Sequence, residues 1–135
     1  MSQTNIKRVV AGVIIQDGKV LICQRAEGQP MPLKWEFPGG KVEPEEELRA
    51  ALKRELDEEL GIRAKIGKRI TVIQHTYGNS NAIELHFYRV DEFEGELENR
   101  IFHDVRWVEL AELESYDFLE ADIAFIQEIS AGKIL

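Results

Sequence analysis

Glu55, Glu58 and Glu59 stand at positions i, i+3 and i+4 in the run Arg54-Glu55-Leu56-Asp57-Glu58-Glu59-Leu60-Gly61. On a helix that spacing puts their carboxylates on one face. They fall in the last turns before Gly61, where the helix macrodipole is negative and cations are preferred. Like charges at this spacing cost roughly 0.2–0.5 kcal/mol per pair. A solvated acidic surface is the plain reading. Three features favour a metal site instead. The acidic face adjoins a leucine stripe and so lies at the rim of a core. Arg54, one turn before Glu58, can brace a carboxylate. The glycines of Pro38-Gly39-Gly40-Lys41, just before the helix, permit close backbone approach. Clustered carboxylates with a backbone carbonyl are hard oxygen ligands, suited to Mg²⁺ or Mn²⁺.

The helix that must carry these groups is read at residues 45–60. Leu48, Leu52, Leu56 and Leu60 repeat every four residues, Pro44 lies just before the start and Gly61 just after the end. Ahead of it, residues 6–15 and 19–24 are rich in Val and Ile and read as strands joined at Asp17-Gly18, a hairpin signal. Residues 26–33, with Gly28, Pro30 and Pro32, form a loop, and residues 35–37 a short extended piece ended by Pro38-Gly39-Gly40. Two strands at 64–75 and 82–90, joined through residues 78–81, follow the helix, then a strand at 105–108. Ile123, Ile126 and Ile129 mark a last helix. The acidic run 91–96 reads as a solvated loop. Strands and helices mix without regular alternation, so we expect an α/β fold with a mixed sheet flanked by helices.

The 135 residues fit one domain. The first ten residues carry no signal-peptide pattern, and the longest apolar run, 9–15, is far short of the roughly 18 residues of a membrane helix. A single cysteine, Cys23, cannot form an internal disulfide; among apolar neighbours it reads as a buried small hydrophobe, and a reducing cytoplasm is the simplest setting. The net charge of −8, with no Lys/Arg cluster, argues against binding a nucleic-acid polymer. An acidic protein that takes a polyanion needs a cation between them, and the glutamate face is where it would sit.

Gly40, Glu46 after five intervening residues, and Arg54-Glu55-Leu56-Asp57-Glu58-Glu59-Leu60-Gly61-Ile62 after seven more resemble the Nudix box, residues 40–62, with every fixed position filled. The resemblance covers nearly the whole chain. It implies an α/β/α sandwich with the box as loop–helix–loop. It implies metal ligation by Glu55, Glu58, Glu59 and the Gly40 carbonyl, and a loop held in shape by Glu46 and Arg54. Trp35-Glu36-Phe37-Pro38-Gly39-Gly40-Lys41 narrows it to the MutT-like branch. Arg25 aligns with a substrate-contacting arginine of that branch. The absence of a proline after the box ranks ADP-ribose hydrolases lower. One position departs: where MutT-like enzymes often carry a further metal-binding Glu, six residues before the late Trp107, this chain has Ile101. Glu98, His103 or Asp104 could stand in only if the loop shifts.

The expected activity is magnesium-dependent hydrolysis of a nucleoside triphosphate to monophosphate and pyrophosphate, with Arg54, Glu55, Glu58 and Glu59 as the catalytic set. Lys41 and Arg25 would contact phosphates or sugar. Trp35 and Phe37 could stack on the base or fill the core. Asp122 either reads the base, as the resemblance implies, or caps the last helix. An ionised carboxylate only accepts hydrogen bonds, which matches the paired donors of a guanine edge, so 8-oxo-dGTP is the favoured substrate. CTP or a modified dCTP is the alternative. A non-catalytic nucleotide sensor is a rival of another class, against which stands the complete glutamate set. His75, His86 and His103 lack metal-ligand spacing and read as structural or surface residues.

Overall fold

Apolar side chains at consecutive positions suit a strand buried on both faces, and residues 9–15 form such a strand. The computed structural model describes residues 6–77 and 81–131. In it, β1 (Ile6–Gln16) lies in a mixed sheet with strand order β3-β2-β1-β7-β6. Here β2 is Lys19–Gln24, β3 Trp35–Glu36, β6 Arg69–Tyr77 and β7 Asn81–Val90. β1 runs parallel to β7 and antiparallel to β2. Short β4 (Gly39–Lys41) also pairs with β1, and β9 (Asp104–Glu109) with β2.

Period-two alternation divides β1 between two cores. Val10 and Ile14 pack with Leu52, Leu56 and Leu60 of helix α1 (Leu48–Leu60). Ala11 and Val13 pack on the opposite face with Phe125, Ile126 and Ile129 of helix α2 (Ile123–Ser130). This is the expected α/β/α sandwich.

The hairpin stands as read: Gln16 pairs with Lys19 across Asp17 and Gly18, both at positive φ (54° and 76°), as a type I′ turn requires. Other boundaries moved. α1 begins at Leu48 rather than at 45, because Glu45 has a φ of 66° that no helix accepts. The span read as one strand at 64–75 is two: β5 (Arg63–Lys65) belongs to a separate ladder, and β6 starts at Arg69. The partner of β5 is β8 (Glu92–Glu94), inside the run taken for a loop. Gly39 and Gly40, taken as the end of an extended piece, belong to β4. The turn expected at 78–81 lies, apart from Asn81, outside the described residues.

Candidate active site

Helix α1 presents its buried leucines to the sheet and its box carboxylates to β4. Glu59 accepts a hydrogen bond from the Gly39 N–H at 3.2 Å. Gly40 lies so close to Glu55 that a Cβ there would sit 2.5 Å from the carboxyl carbon. A Cβ on Gly39 would meet the Val10 carbonyl oxygen at 1.9 Å. Neither position has room for a side chain, which is the physical reason for the glycine pair.

Arg54 is the brace expected of it. Its Nε and second amino group donate to the two Glu46 oxygens at 2.8 and 2.9 Å, a bidentate pair. Its other amino group donates to Glu55 at 3.0 Å and reaches Glu58 at 3.4 Å. The Arg54 pairing first, then the backbone hydrogen bond at Glu43, pull the Glu46 pKa down to about 2.

Glu59 behaves in the opposite way. Burial first, then the negative charges of Glu55 and Glu36, push its pKa up to about 9. A hydrogen bond with Glu55 adds to that rise. Glu58 stands apart, its side chain 59% exposed. Among the described residues no three His, Cys, Asp or Glu side chains form a ready-made metal cage. The donor set nevertheless fits a hard divalent cation. Glu59 lies buried beside the like charges of Glu55 and Glu36, which a cation would offset, and all of these are oxygen donors.

A cavity of about 360 Å³ opens beside this end of the helix, lined among others by Arg25, Glu36, Gly40, Lys41, Glu59 and Asp122. Glu55 and Glu58 do not line it. The sequence-derived residues Arg25, Phe37, Lys41 and Asp122 do, so the fold brings substrate candidates from four segments together. Arg25 is tied in place, donating to Glu36 at 3.1 Å and to the Pro30 carbonyl at 2.8 Å. Phe37 reaches the cavity wall, but its ring centroid lies 5.5–6.0 Å from those of Phe87, Phe118 and Phe125. Trp35 fills the core against Tyr116 and does not line the cavity.

Asp122 does not cap α2. It lies in the right-handed helical region (φ −91°, ψ −14°) and makes no side-chain cap hydrogen bond, because its side chain is buried. Burial first, then the charge of Glu36, raise its pKa well above the usual carboxylate range. Burial and the Glu36 charge thus disfavour the ionised form on which the sequence reading of Asp122 relied.

Sequence reading passed over Glu36. It lines the cavity, pairs with Arg25 and lies close enough to Glu59 and Asp122 to shift both. Burial raises its own pKa, and the Arg25 charge and hydrogen bond oppose that rise. The available signal was an acid set between two core aromatics in Trp35-Glu36-Phe37. Glu98, His103 and Asp104 do not line the cavity, whereas Ile101 does. Asp104 is held by Arg106 at 2.8 Å. Cys23 is fully buried and burial raises its thiol pKa, as suits a core residue. His86 is buried against Glu84 at 2.7 Å and His75 lies near Glu120 at 4.0 Å; neither lines the cavity.

Comparison with known proteins agrees with this arrangement. The NUDIX domain family model matches residues 6–129. The CTP pyrophosphohydrolase of Escherichia coli is 39% identical over 123 residues, covering 91% of this chain and 90% of that protein. The 8-oxo-dGTP diphosphatase of Haemophilus influenzae is 38% identical over 125 residues, covering 92% and 91%. The solution structure of the E. coli ORF135 protein superposes with a TM-score of 0.85 at 38% identity, over 95% of this chain and 91% of that one. The MutT protein of methicillin-resistant Staphylococcus aureus 252 superposes at 0.77 with 30% identity, over 96% and 99%. With its box helix braced by Arg54 beside a nucleotide-sized cavity, the chain belongs to the NUDIX domain family and is a MutT-like Nudix hydrolase.

Proposed function

We propose that this chain is a magnesium-dependent nucleoside triphosphate pyrophosphohydrolase, releasing monophosphate and pyrophosphate, with 8-oxo-dGTP as its substrate. One observation carries the reading: Glu59 of α1, the cations Arg25 and Lys41 and the buried acid Asp122 line a single cavity. A polyphosphate and its base can be held there at once. Glu55, Glu58, Glu59 and the Gly40 carbonyl would hold the metal. When bound, it neutralises phosphate oxygens and polarises the reacting phosphorus. Arg54 keeps the glutamates in place, and one of them takes the proton of the attacking water. Lys41 and Arg25 meet the phosphates or sugar, and Phe37 forms part of the wall beside the base.

A second substrate reading, CTP or a modified dCTP, gains support from the burial of Asp122, which favours its neutral form. A neutral carboxyl group offers one donor and one acceptor. That pair complements N3 and the amino group of cytosine. It equally complements O6 and N1–H of guanine, so the earlier lean toward paired donors no longer follows. Similar curated proteins of Haemophilus influenzae, Buchnera aphidicola, Proteus vulgaris and Escherichia coli carry the name 8-oxo-dGTP diphosphatase, and that supports the purine reading. Pyrophosphate release from 8-oxo-dGTP, dGTP, CTP and 5-methyl-dCTP, with Mg²⁺ and with EDTA, tests the assignment. The highest kcat/KM should fall on 8-oxo-dGTP, with no turnover in EDTA. A higher value for a cytosine nucleotide selects the second reading. Binding without turnover of any of the four would make the protein a sensor.

A further inference from the structure

Acidic residues Asp57, Glu58 and Glu59 fill the last turn of α1, which contains no basic residue. A helix end of that composition needs positive charge from elsewhere. It comes from the segment between β8 and β9. Arg100 donates from its guanidinium to the Asp57 carbonyl at 3.0 Å and from its backbone N–H to the Glu59 carbonyl at 3.2 Å. Glu98 N–H donates to the Leu60 carbonyl at 2.8 Å. Gly61, in the left-handed region at φ 68°, leaves room for this: a Cβ there would come within 2.7 Å of the guanidinium. Its lack of a side chain serves the helix stop and Arg100 together.

The segment is braced from within. Asn99 donates to the Phe102 carbonyl at 2.9 Å and accepts from the Phe102 N–H at 2.8 Å. Ile101 and Phe102, next to Arg100 in that turn, line the cavity. One short turn thus grips the carboxylate-bearing helix end with Arg100 and forms part of the cavity wall with the two residues that follow.

We infer that Arg100 is a positioning residue for hydrolysis, holding the end of α1 and the Ile101–Phe102 wall as one unit so that the glutamates stay aligned with the bound nucleotide. The inference rests on the metal-carboxylate reading given above. The Arg100 guanidinium itself bonds to backbone and approaches Glu98 at 3.6 Å, so it acts through the helix rather than on substrate.

The test uses Arg100→Lys, Arg100→Gln and Arg100→Ala beside the parent. Mn²⁺ alone is titrated into each protein by calorimetry, and kcat and KM are measured in saturating Mg²⁺ at a temperature where melts show every variant folded. Arg100→Ala should weaken Mn²⁺ binding about fivefold and lower kcat about tenfold, with a smaller change in KM. Arg100→Lys should restore most of both. Arg100→Gln, which keeps a donor for the Asp57 carbonyl without the charge, should fall between. A kcat for Arg100→Ala within about twofold of the parent overturns the inference. So does a loss of rate that matches the unfolded fraction alone, or a lysine variant no better than alanine. A parent that takes up no Mn²⁺ and turns over without divalent metal overturns the metal reading itself, and that control separates the two failures.

Discussion

Asp122 is the residue whose role changed most between sequence and fold. A helix cap must point its oxygen at backbone N–H groups, but the Asp122 side chain is buried beside the cavity and makes no such bond. There burial and then the nearby Glu36 charge raise its pKa and favour the neutral form. This state has a direct consequence. Asparagine also offers one donor and one acceptor, so Asp122→Asn should keep kcat/KM for the preferred nucleotide within about fivefold. Asp122→Ala leaves a base group unpaired, at about 1–3 kcal/mol, and should lower kcat/KM roughly 10- to 100-fold. Steady-state kinetics of the two variants decide the matter. If asparagine is as damaging as alanine, Asp122 works ionised. Glu36 belongs to the same group, and nothing in its spacing announced it. Its importance comes from pairing with Arg25 while its charge acts on both Glu59 and Asp122.

Helix α1 shows how one element serves stability and chemistry on different faces. Leu52, Leu56 and Leu60 are fully buried, and Leu56 packs within the core that also holds Val10 and Ile14. Leu56→Ala should cost about 2–5 kcal/mol. In a domain of this size that lowers the melting midpoint by roughly 10 °C or more. Leu48, only partly buried, should cost clearly less, and equal losses in thermal melts would contradict the packing described. The polar face should respond differently. Arg54→Lys keeps a charge but cannot hold Glu46 bidentately while also reaching Glu55. It should lower kcat by about tenfold or more with a shift in midpoint of only a few degrees. A loss of stability as large as that of Leu56→Ala would make Arg54 a folding residue first. The four-residue leucine period made this helix plain from sequence. Its start did not show, because the positive φ of Glu45 is imposed by the loop path and the Glu46–Arg54 pair, neither of which has a periodic signature.

Across the whole molecule, a net charge of −8 and the buried Glu59 make stability depend on pH. Glu59 has a pKa of about 9 in the folded protein against 4.5 ordinarily, so the folded state binds the extra proton between those values. Stability from this group is complete below 4.5 and is lost as pH rises toward 9. In EDTA, the midpoint should fall between about pH 6 and pH 9, and Glu59→Gln should flatten much of that fall. Mg²⁺ at about 100 times its Kd should add roughly 2.7 kcal/mol. The gain should be larger at alkaline pH, because the ligands must give up their proton. Melts showing no metal effect at either pH, with turnover intact, would mean that metal arrives only with the nucleotide. Among the described residues no helix is long and apolar enough to cross a membrane. What the sequence determined by itself was local: a helix period that lines up leucines and glutamates, a strand apolar enough to bury both faces, a hairpin at Asp17-Gly18 and the spacing of a Nudix box. Those properties follow from the fixed repeats of helix and strand, so residue spacing suffices to read them. Only the tertiary structure decided that Glu36 meets Arg25, that Asp122 is buried near Glu36, and that Arg100 reaches the Asp57 carbonyl from 43 residues away. Contacts between distant segments and the proton balance of buried acids depend on how layers stack and exclude water, and no spacing along the chain encodes either.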